Sequence, residues 1–259
     1  DNYIAIFSKF IPCGVYEAVH ILDPLIKKLV EIKGKIIHGD THAQSASVYG
    51  LAFLLGIKLM PRIRNWKDLK FYKSNMETKF QNIEKLFTNE AADWELIEKY
   101  LHEMFQIAQS IMAGTITPSA ILRRLGTNSK KNKIFQAFSA LGRVVRTAYL
   151  LDYLTDVELR QVVHAATVKC EQFNNFVQWI HFAREYIKTV EHDEQVKVIK
   201  YNHLIAVSLS FWNAWNMTEK IDIAKNEGYE FGLNEIERMS PYRTKHVNRF
   251  GKVSLEFSP

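Results

Sequence analysis

Cysteine is nearly absent. Cys13 and Cys170 stand far apart among 259 residues, and neither belongs to a CxxC pair. That excludes a disulfide scaffold and fits a reducing cytoplasm. Long apolar runs are missing too. The longest, Val48 to Leu55 with Ile57, falls far short of the roughly 20 residues that a membrane span needs. No signal-peptide pattern and no initiating Met stand at the front, so the chain reads as a piece of something longer. Repeats and low-complexity tracts are also lacking. What is present is a 47% hydrophobic composition, enough for one large core or two smaller ones.

The charge is uneven. Lys and Arg number 34 against 28 Asp and Glu, a formal net charge of +6. Such an excess favours an anionic partner, although part of it serves ordinary solubility. From Leu122 to Arg146 the cations Arg123, Arg124, Lys130, Lys131, Lys133, Arg143 and Arg146 occur with no acid among them.

Periodicity divides the chain. Asn2 to Ile11 alternates loosely and reads as a strand. Val15 to Ile32 has helical spacing, with Pro24 as a kink. Lys35 to His38 is a short strand. Ser45 to Leu55 is a helix ended by Gly56, and Ile57 to Ile63 is another strand. Residues 35 to 63 thus form a strand–helix–strand unit, most simply a right-handed parallel crossover. After Trp66 the strand signal vanishes. Helices are expected over 93–112, over 118–125 behind the Thr117-Pro118 cap, over 132–151, from Asp156 towards Glu171, and over 195–226 before Gly228. The expected architecture is a small α/β piece followed by a helical region about twice as long.

One carboxylate stands out. Ligands collect at the carboxyl ends of parallel strands, and Asp40 directly follows such an end. Its bland role is to cap the next helix with Thr41. A metal role needs a second carboxylate, and Glu171 is the candidate. Glu171, Asn174, Asn175 and Gln178 share one helix face, opposite Phe173, Phe176, Val177 and Ile180. One acid among three amides is unusual for a solvent face, and periodicity leaves both readings open. A zinc reading of His38, Asp40 and His42 also exists, but the turn at Gly39 spoils its geometry. The basic run is either a solvated face or a phosphate-binding surface, joined by Arg62 and Arg64 at a strand end near Asp40.

The block GDTHAQSASVYGLAFLLGIKLMPRIRNWKDLKFY resembles the catalytic core of replicative transposases of the Tn-three family. So do SAILRRLGTNSKKNKIFQAFSALGRVVRTAYLLDYLTDVELR, VKCEQFNNFVQW, KYNHLIAVSLSFWNAW and SPYRTKHVNRFG. The likeness covers essentially the whole chain, and the order of blocks is more specific than any one motif.

The resemblance implies a DDE transposase. Its fold would be a partial RNase H-like core, a mixed sheet with flanking helices, carrying a large helical insertion before the Glu-bearing helix. The implied regions are 1–65 (α/β core), 66–160 (insertion), 161–228 (helices completing the core) and 229–259 (tail). Asp40 and Glu171 match two of three catalytic carboxylates that hold two Mg²⁺ ions, with Mn²⁺ as a substitute. The first Asp of that triad is expected upstream of residue 1, which implies that these residues alone are inactive. Water would free a 3′-hydroxyl at the transposon end, and that hydroxyl would attack target DNA.

The implied partners are the terminal inverted repeats, target DNA and, in the full-length protein, a second copy; no membrane is implied. Lys169, beside the Glu171 block, joins the expected DNA contacts. Cys170 replaces the family's Ser, Val168 its Asn and Pro24 a Gly, and Arg184-Glu185 interrupts a Gly-rich segment. These departures suggest an alternative, a non-catalytic DNA-binding or dimerisation remnant.

Overall fold

The computed structural model describes residues 17–23, 36–127, 129–181 and 187–247. The expected strand Asn2 to Ile11 lies outside them. The expected first helix is described only over residues 17–23, where Glu17–His20 forms a 3-10 turn. The chain divides into two compact units, Ile11–Thr167 and Asp1–Phe10 with Val168–Pro259.

The unit ending at Thr167 is built around a parallel crossover. Strand β1, Ile36–Gly39, pairs parallel with β2, Lys58–Pro61, in the register Ile37↔Leu59 and Gly39↔Pro61. Helix α1, Ala46–Leu54, connects them and stops before Gly56, whose φ is +71°. Val48, Tyr49, Leu51 and Ala52 are all buried. A helix apolar on nearly every side belongs in an interior, and this one supplies the centre of its core.

Helices α2, Trp94–Lys99, and α3, Leu101–Met112, break at Tyr100 where one helix was expected. Helix α4, Pro118–Gly126, starts where the Thr117 hydroxyl accepts from the Ala120 N–H. The Asp23 carboxylate, from far earlier in the chain, accepts the Ser119 N–H at 2.8 Å and adds a second cap. Helix α5, Lys133–Thr155, is capped by Asn132. The next helix, α6, Val157–Ile180, starts at Asp156, whose carboxylate accepts from Leu159 N–H.

Helices α1 and α5 approach backbone to backbone. A Cβ on Gly50 would sit 2.1 Å from the Phe138 carbonyl oxygen, and one on Gly142 would sit 1.6 Å from that of Ala46. Only glycine permits that approach.

The absence of strands after Trp66 is corrected. Strand β3, Phe71–Lys73, pairs parallel with β4, Phe87–Ala91. Both are too short and polar to leave an alternating pattern; the packing of Phe71 and Phe80 against Phe87 holds them. Here Lys73 is buried, and its ammonium donates to the Glu84 carboxylate. That bond, with the Phe80 N–H, keeps the Glu84 carboxyl below its ordinary value. A depressed carboxyl stabilises the fold above its unfolded pKa of about 4.3 and loses that effect as pH falls through the lower folded value. Glu84→Gln is therefore expected to flatten the acid limb of stability, read from urea midpoints between roughly pH 3 and pH 6.

In the other unit, the part of α6 from Val168 on is followed by α7, His192–Asn226, and the short α8, Leu233–Glu237. Phe176 is fully buried there, stacked on Trp179 and packed against Tyr242. Among the described residues, no helix is long and apolar enough to cross a membrane.

Candidate active site

Asp40 stands immediately past the last paired residue of β1 and is exposed. Its carbonyl accepts the Ala43 N–H at 3.1 Å and opens the 3-10 turn Thr41–Gln44. The N-cap of α1 is Ser45, and Asp40 stands instead at the head of the 3-10 turn. Gly39 leaves room for the turn: a Cβ there would lie 2.8 Å from Ala43 Cβ and 2.9 Å from Ile21 Cδ1.

Three side chains brace this turn. The Gln44 amide donates to the Arg62 carbonyl at 3.1 Å, and the Arg146 guanidinium donates to the Gln44 carbonyl at 3.0 Å. The Tyr149 hydroxyl donates to the Pro61 carbonyl at 2.7 Å, anchoring the end of β2. Burial lowers the Arg146 pKa and raises those of Tyr49 and Tyr149. Arg146 nevertheless stays charged, because a guanidinium has pKa to spare. The dry, hydrogen-bonded support fixes the backbone that carries Asp40.

His38, two residues before Asp40, is half-buried, and burial lowers its pKa. The zinc reading also needs the His42 side chain, which lies outside the described residues. No group of three His, Cys, Asp or Glu suited to a metal occurs among the described residues.

Glu171 is exposed on α6, as are Asn174, Asn175 and Gln178, so the amide stripe is a surface face. Phe173 and Phe176 on the other side pack against Tyr242. Asp40 belongs to one compact unit and Glu171 to the other. Both are short hard-oxygen donors on the ends or faces of regular elements, which is the donor chemistry that Mg²⁺ or Mn²⁺ accepts.

The cations sort into two groups. Arg64, Arg123, Arg124, Lys130, Lys131, Lys133 and Arg143 are exposed, while Arg62 and Lys169 are half-buried. Arg143 also lies over the Tyr72 ring at 5.1 Å. Arg146 differs, because its guanidinium is spent on the Gln44 carbonyl. Its spacing resembles that of its neighbours, so sequence alone did not separate it from them. Gln44 and Tyr149, which support the turn, carried no sequence signal of that role; each acts on backbone far along the chain.

In open parallel sheets ligands collect at the carboxyl ends of the strands, and Asp40 stands at such an end. The family model for the Tn3 transposase DDE domain matches residues 1–252, and the chain belongs to that family. The chain is 26% identical to the transposase for transposon Tn1546 of Enterococcus faecium over 97% of its length. It is 27% identical to that for Tn21 of Escherichia coli over 97%, and 26% to that for gamma-delta of Escherichia coli strain K12 over 98%. It spans about a quarter of the length of these curated relatives. Membership of a DDE domain family implies the use of divalent metal in general.

Proposed function

We propose that this chain is the catalytic region of a transposase that cuts DNA at transposon ends and joins it to target DNA. The observation that carries the reading is Asp40, exposed just past the end of β1. Support also comes from the family match. In this reading Asp40 and Glu171 would each serve as a ligand to Mg²⁺, or to Mn²⁺ in its place. Such a metal, when bound, would supply Lewis-acid stabilisation of the charge on the oxygens of a phosphoryl displacement. Gln44, Arg146 and Tyr149 keep the Asp40 backbone in place, a positioning role.

Residues 66–160 are the insertion in this scheme, and 161–228 supply the helices that complete the core. The exposed cations bind terminal repeats and target through phosphate, without reading sequence. The full-length protein works as a pair of copies. A polypeptide of these 259 residues, carrying two acids of the triad, binds metal weakly and performs no strand transfer.

The test is Mn²⁺ titration together with nicking of labelled transposon-end DNA. Weak metal binding lost in Asp40→Ala, with no turnover, is the expected result. Turnover by these residues that Asp40→Ala abolishes would refute their inactivity alone; metal binding indifferent to both Asp40 and Glu171 would refute the site.

The phosphate contacts are tested separately. Replacing Lys130, Lys131 and Lys133 together by Ala is expected to reduce the slope of log affinity against log salt by up to about 2.7 on duplex DNA. Arg146→Met is expected to leave that slope unchanged and to lower thermal stability. An unchanged slope for the triple variant would mean that these lysines only solvate their loop.

A further inference from the structure

One residue on from Glu171, the unit that contains residues 168–259 carries a cleft of about 480 Å³. Gln172, Asn175 and Trp179 lie along one side of α6 and form one wall. Arg238, Tyr242 and Arg243 form the facing wall, and no acid lines the cleft among the described residues.

That second wall is held firmly although it has little regular structure. Asn213, buried on α7, donates to the carbonyls of Pro241 at 2.7 Å and Arg243 at 3.1 Å. Its amide oxygen lies 2.7 Å from His246 Nε2. The Tyr242 ring packs 5.4 Å from Phe173 and 5.5 Å from Phe176, and Phe176 stacks on Trp179 with an interplanar angle of 13°. Aromatic faces are therefore fixed beside two exposed guanidinium side chains. The Gln172 Oε1 is buried without a hydrogen-bond partner, an acceptor in want of a donor.

Each feature selects against most ligands. Two arginines with no acid favour an anion, and guanidinium grips phosphate through paired hydrogen bonds. The cleft is far too small for a duplex but has the size of a small-molecule site. Fixed aromatic rings accept an unstacked base, and neutral amides read a base edge without repelling phosphate.

We infer that this cleft holds one unstacked nucleotide of a DNA strand, its base against Trp179 and Tyr242 and its phosphate on Arg238 and Arg243. The inference rests on the reading that the chain works on DNA, and adds where a single nucleotide next to the Glu171 face is gripped.

The experiment uses the 259-residue chain with EDTA present, so that catalysis plays no part. The probe is a single-stranded decamer with 2-aminopurine at one position, compared with a duplex of the same sequence. Binding is expected to quench the single strand, and Trp179→Ala to remove the quenching. R238A/R243A is expected to weaken single-strand binding at least about tenfold, with duplex affinity and circular dichroism unchanged. If that pair of changes unfolds the chain, R238K/R243K keeps the charge, and its loss of at least about threefold serves instead. Duplex binding with no quenching, or full affinity in the folded arginine variants, overturns the cleft alone. Binding to neither probe overturns the DNA reading together with it.

Discussion

Asp40→Asn, introduced into a full-length transposase that carries this region, is expected to reduce strand transfer at least about 1,000-fold. That corresponds to roughly 4 kcal/mol of lost transition-state stabilisation. Glu171→Gln is expected to do the same. Amide for carboxylate keeps the shape but removes the charge that a hard divalent ion requires. Both residues are exposed. Each amide keeps the volume of the exposed side chain it replaces, so neither change should shift stability by more than about 1 kcal/mol. Activity is read by joining of labelled transposon ends to plasmid, and folding by thermal melting. A variant that melts normally yet transfers within tenfold of the parent would remove that residue from the catalytic set. One that loses activity only by unfolding would make it structural.

Gly142→Ala is expected to produce the largest loss of stability of any Gly→Ala change among the described residues. The new Cβ would lie 1.6 Å from the Ala46 carbonyl oxygen and 2.8 Å from the Gly50 nitrogen. Both neighbours are backbone, so no side chain can rotate away, and α1 and α5 must move apart. Overpacking of a core commonly costs about 1–3 kcal/mol, and a clash with two rigid helices belongs at or above that upper limit. The better helix propensity of Ala returns only about 1 kcal/mol. Gly126→Ala is the internal control, because its nearest neighbour is a Phe135 ring carbon at 3.5 Å, an ordinary contact. Urea midpoints should fall sharply for Gly142→Ala and stay level or rise for Gly126→Ala. Equal midpoints would mean that the two helices have slack at their crossing. Because α1 follows the Asp40 turn directly, separating the helices should also lower activity in the full-length protein.

Much of the local architecture was legible because its signals are local. The crossover of β1, α1 and β2 follows from two apolar runs, a helical stretch and Gly56. The caps at Thr117, Asn132 and Asp156 act within three residues of their own position. The strand pair β3 and β4 was not legible, because three and five residues leave no period to count, and the ring contacts of Phe71 and Phe80 with Phe87 that hold them form only on folding.

By itself the sequence determined the family, the parallel crossover, the strand-end position of Asp40 and the helical face of Glu171. Only the tertiary structure decided that Arg146 braces the Asp40 turn while its basic neighbours face solvent. It alone revealed that Lys73 is buried against Glu84 and that two glycines let α1 and α5 touch. The reason is range. Caps and periodicity act over a few residues, whereas the environment of a charge is set by backbone that folding brings from about a hundred positions away, as Gln44 is brought to Arg146.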